Sequence, residues 1–261
     1  MTTTLLNVWT LMPQKKKNNG ETDMPAKLVF DIETSALSDD DLLSVIPFID
    51  TKEPPRGNIK LEETWKKKVK EWNAPQASKK RETAHIDKLK KRGALDPLTG
   101  HVLAIGVKFD KGDGEEVKII EGIEKTILME FWDLLGWFTQ RSEPVFTYNG
   151  TSFDLPFLVN RSRLYKIKPS AYLGRPLVND YGKLPTTFVD IAKVWSGPYR
   201  GNFDMPRFEQ LCSLFGIKAK SQGFRGESFA KLYRTDNDRA MQYLEEEVTA
   251  LWDLSDYFNV I

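Results

Sequence analysis

The chain has 261 residues, 40% of them hydrophobic, and a net charge of +1, which suits one large domain, or one domain carrying a long insertion, with a full buried core. With almost no overall field, any contact with nucleic acid has to come from local basic patches. A single cysteine, Cys212, excludes disulfide scaffolds and cysteine zinc sites; no apolar stretch approaches a membrane span and no signal-peptide plan opens the chain, so a soluble intracellular protein is expected.

Residues 1–25 begin with an apolar patch (Leu5, Leu6, Val8, Trp9, Leu11, Met12) that suits an added edge strand or a docking segment equally, and pass into Pro13 to Gly20, a mobile linker by composition. The stretch Lys27-Leu28-Val29-Phe30-Asp31-Ile32-Glu33-Thr34 reads as a short strand buried on both faces that stops on two acids. Asp31 and Glu33 are two apart, so an extended chain sends both carboxylates from one face. Carboxylates that close repel unless a cation or a shared proton sits between them, and Mg2+ takes oxygen ligands from one or two carboxylates plus substrate phosphates. A metal site that handles phosphate is the expectation. An exposed strand end before a polar turn reads the same way, and only further acids in compatible places separate the two.

Ser38 is placed to cap a short helix over Leu42, Leu43 and Val45, and the acids Asp39, Asp40 and Asp41 belong to its first turn. From Arg56 to Arg92 thirteen Lys and Arg stand against five acids, a net +8, with Trp65 and Trp72 at helical spacing. Such a segment either grips a phosphate backbone and stacks bases, or is a solvated amphipathic helix whose tryptophans pack on the domain. Leu95 to Gly100 is turn chemistry, followed by a strand over 101–109, a Lys111-Gly112-Asp113-Gly114 hairpin loop and a strand over 116–120, an antiparallel meander. His101, at a strand entrance, reads as structural.

Glu124 to Phe138 carries Ile127, Leu128, Phe131, Trp132, Leu134, Leu135 and Phe138 at helical spacing, so the strand that follows, 144–148, is expected parallel to an earlier one through a right-handed crossover. Asn149-Gly150 permits a positive-φ turn at its end, and Asp154 opens a helix with Phe157, Leu158 and Leu164. An Asp there is ordinarily a cap, but beside the Asp31 strand it would reach the same carboxyl edge of the sheet, where ligands collect. Beyond it come a Pro- and Gly-rich stretch over 170–200 with a short strand, Thr187 to Ile191; Gly201 to Phe203 leading into a helix over 205–215 that contains Cys212 as a buried thiol; and a loop with Lys218, Lys220 and Arg225 that suits an anionic ligand. The last helix, about 236–258, places Tyr243 and Glu247 four apart on the face that also bears Ala250, Leu251 and Leu254, so a Glu points inward and needs a cation or a donor.

Together, Phe30-Asp31-Ile32-Glu33-Thr34, Tyr148-Asn149-Gly150 with Phe153-Asp154-Leu155-Pro156-Phe157-Leu158, and Tyr243 to Glu247 resemble the three exonuclease motifs of the DEDD superfamily in its tyrosine-bearing branch, as found in family B DNA polymerase proofreading domains and their free-standing phage and bacterial relatives. The resemblance covers about Lys27 to Tyr257, with one departure: the third motif ends in Glu247 where the family has Asp, one methylene or about 1.5 Å further from the backbone. It implies a ribonuclease H-like α/β fold, a mixed five-stranded sheet flanked by helices, with a lysine-rich insertion over about 52–94 after the first strand. The domain would span 26–261 and carry a partly flexible extension over 1–25. It implies hydrolysis of the terminal phosphodiester at the 3′ end of single-stranded DNA with two divalent cations, Mg2+ or Mn2+, about 3.5 to 4 Å apart.

In that scheme Asp31 bridges both ions, Glu33 and Glu247 complete the site of the attacking water, Asp154 holds the ion on the leaving oxygen, and Tyr243 orients the water. Thr34, Asn149 and Phe153 line the strand's path. A replicative polymerase on another chain is the implied partner, and the cytoplasm of a bacterial or phage-infected cell the implied location. An RNA exonuclease, or a binding module whose catalysis has decayed, are the alternatives.

Overall fold

A computed structural model describes residues 26–169, 188–197, 205–219 and 229–258. The N-terminal patch and linker, Thr187, Gly201 to Phe203, Lys220 and Arg225 lie outside them. The central strand is β1 (Lys27–Ala36), which pairs antiparallel with β2 (Gly100–Asp110) on one side and parallel with β4 (Val145–Thr147) on the other. β3 (Glu115–Glu121) extends the sheet beyond β2 and β5 (Phe188–Asp190) beyond β4, giving the mixed order β3-β2-β1-β4-β5. The hairpin between β2 and β3 closes on Asp110, whose Oδ1 accepts from the amides of Gly112, Asp113 and Gly114.

Both faces of β1 are covered, which is why its sequence is a near-continuous apolar run. Leu28, Phe30 and Ile32 face one core together with Ile127, Phe131 and Leu135 of α4 (Glu124–Gln140) and Leu155 and Leu158 of α5 (Asp154–Leu164). Val29 faces the other, with Val248, Leu251 and Leu254 of α9 (Asn237–Asp256). Asp31 and Glu33 are in phase with Val29 and so emerge on the α9 side, past the last residue of β4 that pairs with β1. The first layer is pinned by a buried ion pair. Arg161 of α5 meets Glu124 of α4 at 2.7 and 2.8 Å, Glu124 also accepts from Val102 N and Tyr165 Oη, and Arg161 reaches the Pro97 carbonyl at 3.0 Å. Burial alone pushes the Glu124 carboxyl up; the Arg161 guanidinium, the Val102 amide and the Tyr165 hydroxyl together overcome it and hold the group below the usual carboxylate range.

Between β1 and β2 the chain forms α1 (Asp39–Val45), capped by Ser38, then α2 (Glu62–Trp72) and α3 (Ala77–Gly93), joined through Gln76 at φ 68°. Trp72 is a packing residue. Its indole donates to the Thr51 carbonyl, and the Arg81 guanidinium, paired with Asp50, lies 4.0 Å from its ring centroid. Two short helices escape the periodicity reading: α6 (Ile191–Ser196), where the expected strand ends one residue early at Asp190, and α8 (Phe229–Thr235). Each spans under two turns and buries two side chains, too few to register as a 3.6-residue repeat. The helix expected over 205–215 is α7 (Phe208–Leu214), with Cys212 fully buried and its thiol pushed up to about 12 by that burial. No described helix is long and apolar enough to cross a membrane.

Candidate active site

The site begins at the glycine opposite Asp31. Gly106 of β2 is its cross-strand partner, and a Cβ there would stand 2.8 Å from both Leu244 Cγ and Val248 Cγ1. The missing side chain therefore lets α9 lie directly on the sheet. Tyr243 and Glu247, one turn apart and both buried, come down on the acid-bearing end of β1. Ligand oxygens of Asp31, Glu33 and Glu247 all lie within 4.8 Å of one another. At that separation each ionised pair repels by about 3–4 kcal/mol at an effective dielectric of ~20, so the trio suits a hard cation bound through oxygen. Asp31 is half-exposed while Glu33 and Glu247 are nearly buried, which gives the cluster one open side.

Asp154 lies outside that trio but beside it. It is the first residue of α5 and is not the cap: Phe153 holds the cap position, and the Asp154 carboxyl is turned inward to accept from Thr147 Oγ1 at 3.4 Å. Burial, then the charges of Asp190 and Glu247, push its pKa up to about 8 against a weaker lowering by Thr147. The turn that delivers it is built on two residues. Asn149 takes φ 59°, the left-handed conformation that asparagine tolerates, and Gly150 is required for space: a Cβ there would stand 1.8 Å from Thr147 Oγ1 and 2.5 Å from Asp154 Oδ2. The expected positive φ thus falls on Asn149, and Gly150 answers a close approach.

Asp190, given no role by the sequence reading, fastens this turn. Its carboxylate accepts from Asn149 N at 2.9 Å, Thr151 N at 3.1 Å and the Thr151 hydroxyl, and it caps α6 through Lys193 N. An Asp at a strand-to-helix junction, ahead of Ile191-Ala192-Lys193-Val194, is an N-cap signal that could have found it. Asn149 Oδ1 is buried without a hydrogen-bond partner among the described residues, an acceptor open to a donor from outside them. The Phe153 ring is half-buried, 5.6 Å from that of Phe157, and the Thr34 hydroxyl donates to the Ala94 carbonyl at 2.6 Å. His101 stays structural, its pKa lowered chiefly by burial.

A family model described as the RNase H superfamily matches residues 93–259, more than half of the chain. The chain belongs to the RNase H superfamily. The match takes in Asp154, Tyr243 and Glu247; Asp31 and Glu33 lie before it, and the fold brings their carboxylates to that of Glu247. Membership supports nuclease chemistry in general terms and the use of divalent cations, for which the acidic cluster is suited. Among solved structures, the family B DNA polymerase from the hyperthermophilic archaeon Pyrobaculum calidifontis is similar over 92% of this chain, with a TM-score of 0.55 and 18% identity, a likeness of fold. This RNase H superfamily chain spans 25% of that polymerase's length. Among curated proteins nothing matches.

Proposed function

We propose that this chain is a divalent-cation-dependent 3′–5′ exonuclease of the tyrosine-bearing DEDD branch, acting on single-stranded DNA. The carrying observation is the meeting of Asp31, Glu33 and Glu247 within 4.8 Å, beside the buried Asp154 and one helical turn from Tyr243. Asp31, Glu33 and Glu247 would hold one cation, and Asp31 with Asp154 a second; when bound, these ions lower the pKa of a water and stabilise charge on the leaving oxygen. Tyr243 orients the attacking water by hydrogen bonding. Attack at the terminal phosphorus breaks its bond to the 3′ oxygen of the preceding nucleotide, which takes up a proton as a new 3′ hydroxyl, and a 5′-mononucleotide leaves. The Asn149 side-chain amide, positioned by the turn that Asp190 holds, accepts from the terminal nucleotide at Oδ1, which has no partner among the described residues, and Phe153 offers a ring face to the base. The likeness in fold to a quarter of a family B DNA polymerase favours a role beside a replicative polymerase, with residues 26–261 as the exonuclease domain.

The test is digestion of a 5′-labelled DNA oligonucleotide with Mn2+ and with Mg2+, comparing wild type with Asp31→Ala. A ladder shrinking from the 3′ end in the wild type alone supports the proposal, and preference is read from a matched RNA. Retention of the oligonucleotide with no mononucleotide released under either ion refutes it in favour of a binding module, the reading that Glu247 in place of Asp favours.

A further inference from the structure

The basic segment between β1 and β2 has no place in the core. α2 buries no residue and α3 only Gly93, so neither helix is there to complete a hydrophobic layer. Both are held by polar staples: Arg81 to Asp50 and to the Trp72 carbonyl, Trp72 to Thr51, Asn73 to Lys52, and His85 to the Ile46 carbonyl. Its charge is equally separate. Residues 56–92 carry +8 in a chain of net +1, so all remaining residues total −7. A body of net −7 with carboxylates at its reactive centre repels a polyanion, and the +8 of residues 56–92 is the charge that offsets it.

The carboxyl-terminal end of α3 abuts β1 immediately past Glu33. Thr34 Oγ1 donates to the Ala94 carbonyl at 2.6 Å, and Lys90 pairs with Asp39 at the start of α1. From there the 17 residues of α3 run about 25 Å away, room for roughly seven phosphates at the ~3.4 Å spacing of one stacked strand. Lys66, Lys67, Lys70, Lys79, Lys80 and Lys91 are exposed and form no ion pair among the described residues. Lys80, Lys88 and Lys91, at i, i+8 and i+11, share one face of α3.

We infer that α2 and α3 form an arm that holds the phosphate backbone of the single strand whose 3′ end lies at the carboxylates. This rests on the proposed hydrolysis at that site and adds what brings the polyanion to it. The grip is electrostatic and independent of base identity: Arg81 lies over Trp72, whose indole donates to Thr51, and Arg56 lies over Trp65.

The experiment replaces Lys80, Lys88 and Lys91 together, once by Gln and once by Arg, in the full chain. Binding of a fluorescent 20-nucleotide DNA is followed by anisotropy in EDTA from 50 to 300 mM NaCl, and hydrolysis is followed on that oligonucleotide and on a dinucleotide, which carries only the scissile phosphate. The Gln variant should bind the oligonucleotide at least tenfold more weakly at low salt, with a log–log salt slope shallower by about 2, since each lost contact removes ~0.7. Its dinucleotide turnover should equal wild type, and the Arg variant should behave as wild type throughout. Unchanged binding and slope overturn the arm even if the chain degrades DNA. An equal fall on the dinucleotide also overturns it, placing the effect at the carboxylates. If wild type degrades nothing under Mg2+ or Mn2+ while the Gln variant still loses binding, the hydrolytic reading fails and the arm stands.

Discussion

Gly150→Ala tests whether the turn that delivers Asp154 is as tight as its geometry implies. The new methyl would sit 1.8 Å from Thr147 Oγ1 and 2.5 Å from Asp154 Oδ2, inside any tolerable contact. Thr147 is fully buried on β4 between β1 and β5, so relief requires rotating its hydroxyl off Asp154 or lifting the turn off Asp190. Overpacking costs about 1–3 kcal/mol, and loosening one bond to a carboxylate about 1.5 kcal/mol more, giving ~3 kcal/mol in all. For a domain of this size that lowers Tm by ~6–12 °C, measured by circular dichroism in EDTA. At 25 °C the variant stays folded, and displacement of Asp154 by about an ångström should cut oligonucleotide hydrolysis ~100-fold. Adding Thr147→Ala removes the shortest clash and should return about 1 kcal/mol, a coupling that independent sites do not show. A Gly150→Ala protein melting within a degree of wild type, at wild-type rate, would refute the packing argument.

Asp154 is raised from 3.8 to about 8, so its proton stabilises the fold fully below pH ~4, and that contribution is lost as pH climbs through about 8. Asp154→Asn lacks this dependence; in EDTA its stability advantage over wild type should widen by ~1.4 kcal/mol per unit between pH 5 and 7, and a constant gap contradicts the assignment. Glu124→Ala leaves the buried Arg161 charge without its carboxylate and should cost ~3–5 kcal/mol in urea unfolding with m unchanged; a loss under 1 kcal/mol would mean that water replaces the partner. Asp190→Ala strips the acceptor from the amides of Asn149 and Thr151, for an expected ~3 kcal/mol and a raised KM; an unaltered KM would separate the turn from substrate contact. Glu247→Asp draws the carboxylate back about 1.5 Å from a cluster that already closes with Glu, so Mg2+-dependent turnover should fall, and a rise would show that the longer side chain is the handicap.

Features that depend on local order along the chain were legible without coordinates. The two-residue period of Lys27 to Thr34 put Asp31 and Glu33 on one face, the apolar spacing from Ile127 to Phe138 marked α4 and with it the parallel placement of β4, and the four-residue step from Tyr243 to Glu247 sent both inward on α9. Short elements escaped, because α6 and α8 offer too few turns for a period to emerge. The segment over 52–94 was legible as basic and helical, but that Trp72 packs against Thr51 and Arg81 came only from the tertiary contacts.

What tertiary structure alone decided is distance between elements. Nothing near Gly106 in sequence says that Leu244 and Val248 will lie against it, yet that approach carries Glu247 to Asp31 and Glu33. Gly150 looked like a residue chosen for its dihedral freedom and is needed for its lack of a side chain, while Asp190, 41 residues past Asn149, holds the turn that its own neighbourhood never mentions. Periodicity records which way a side chain leaves its own strand or helix. How closely two such elements meet is fixed by close packing across the interior, where the absence of one methyl group at a crossing sets whether carboxylates from distant parts of the chain come within reach of the same ion.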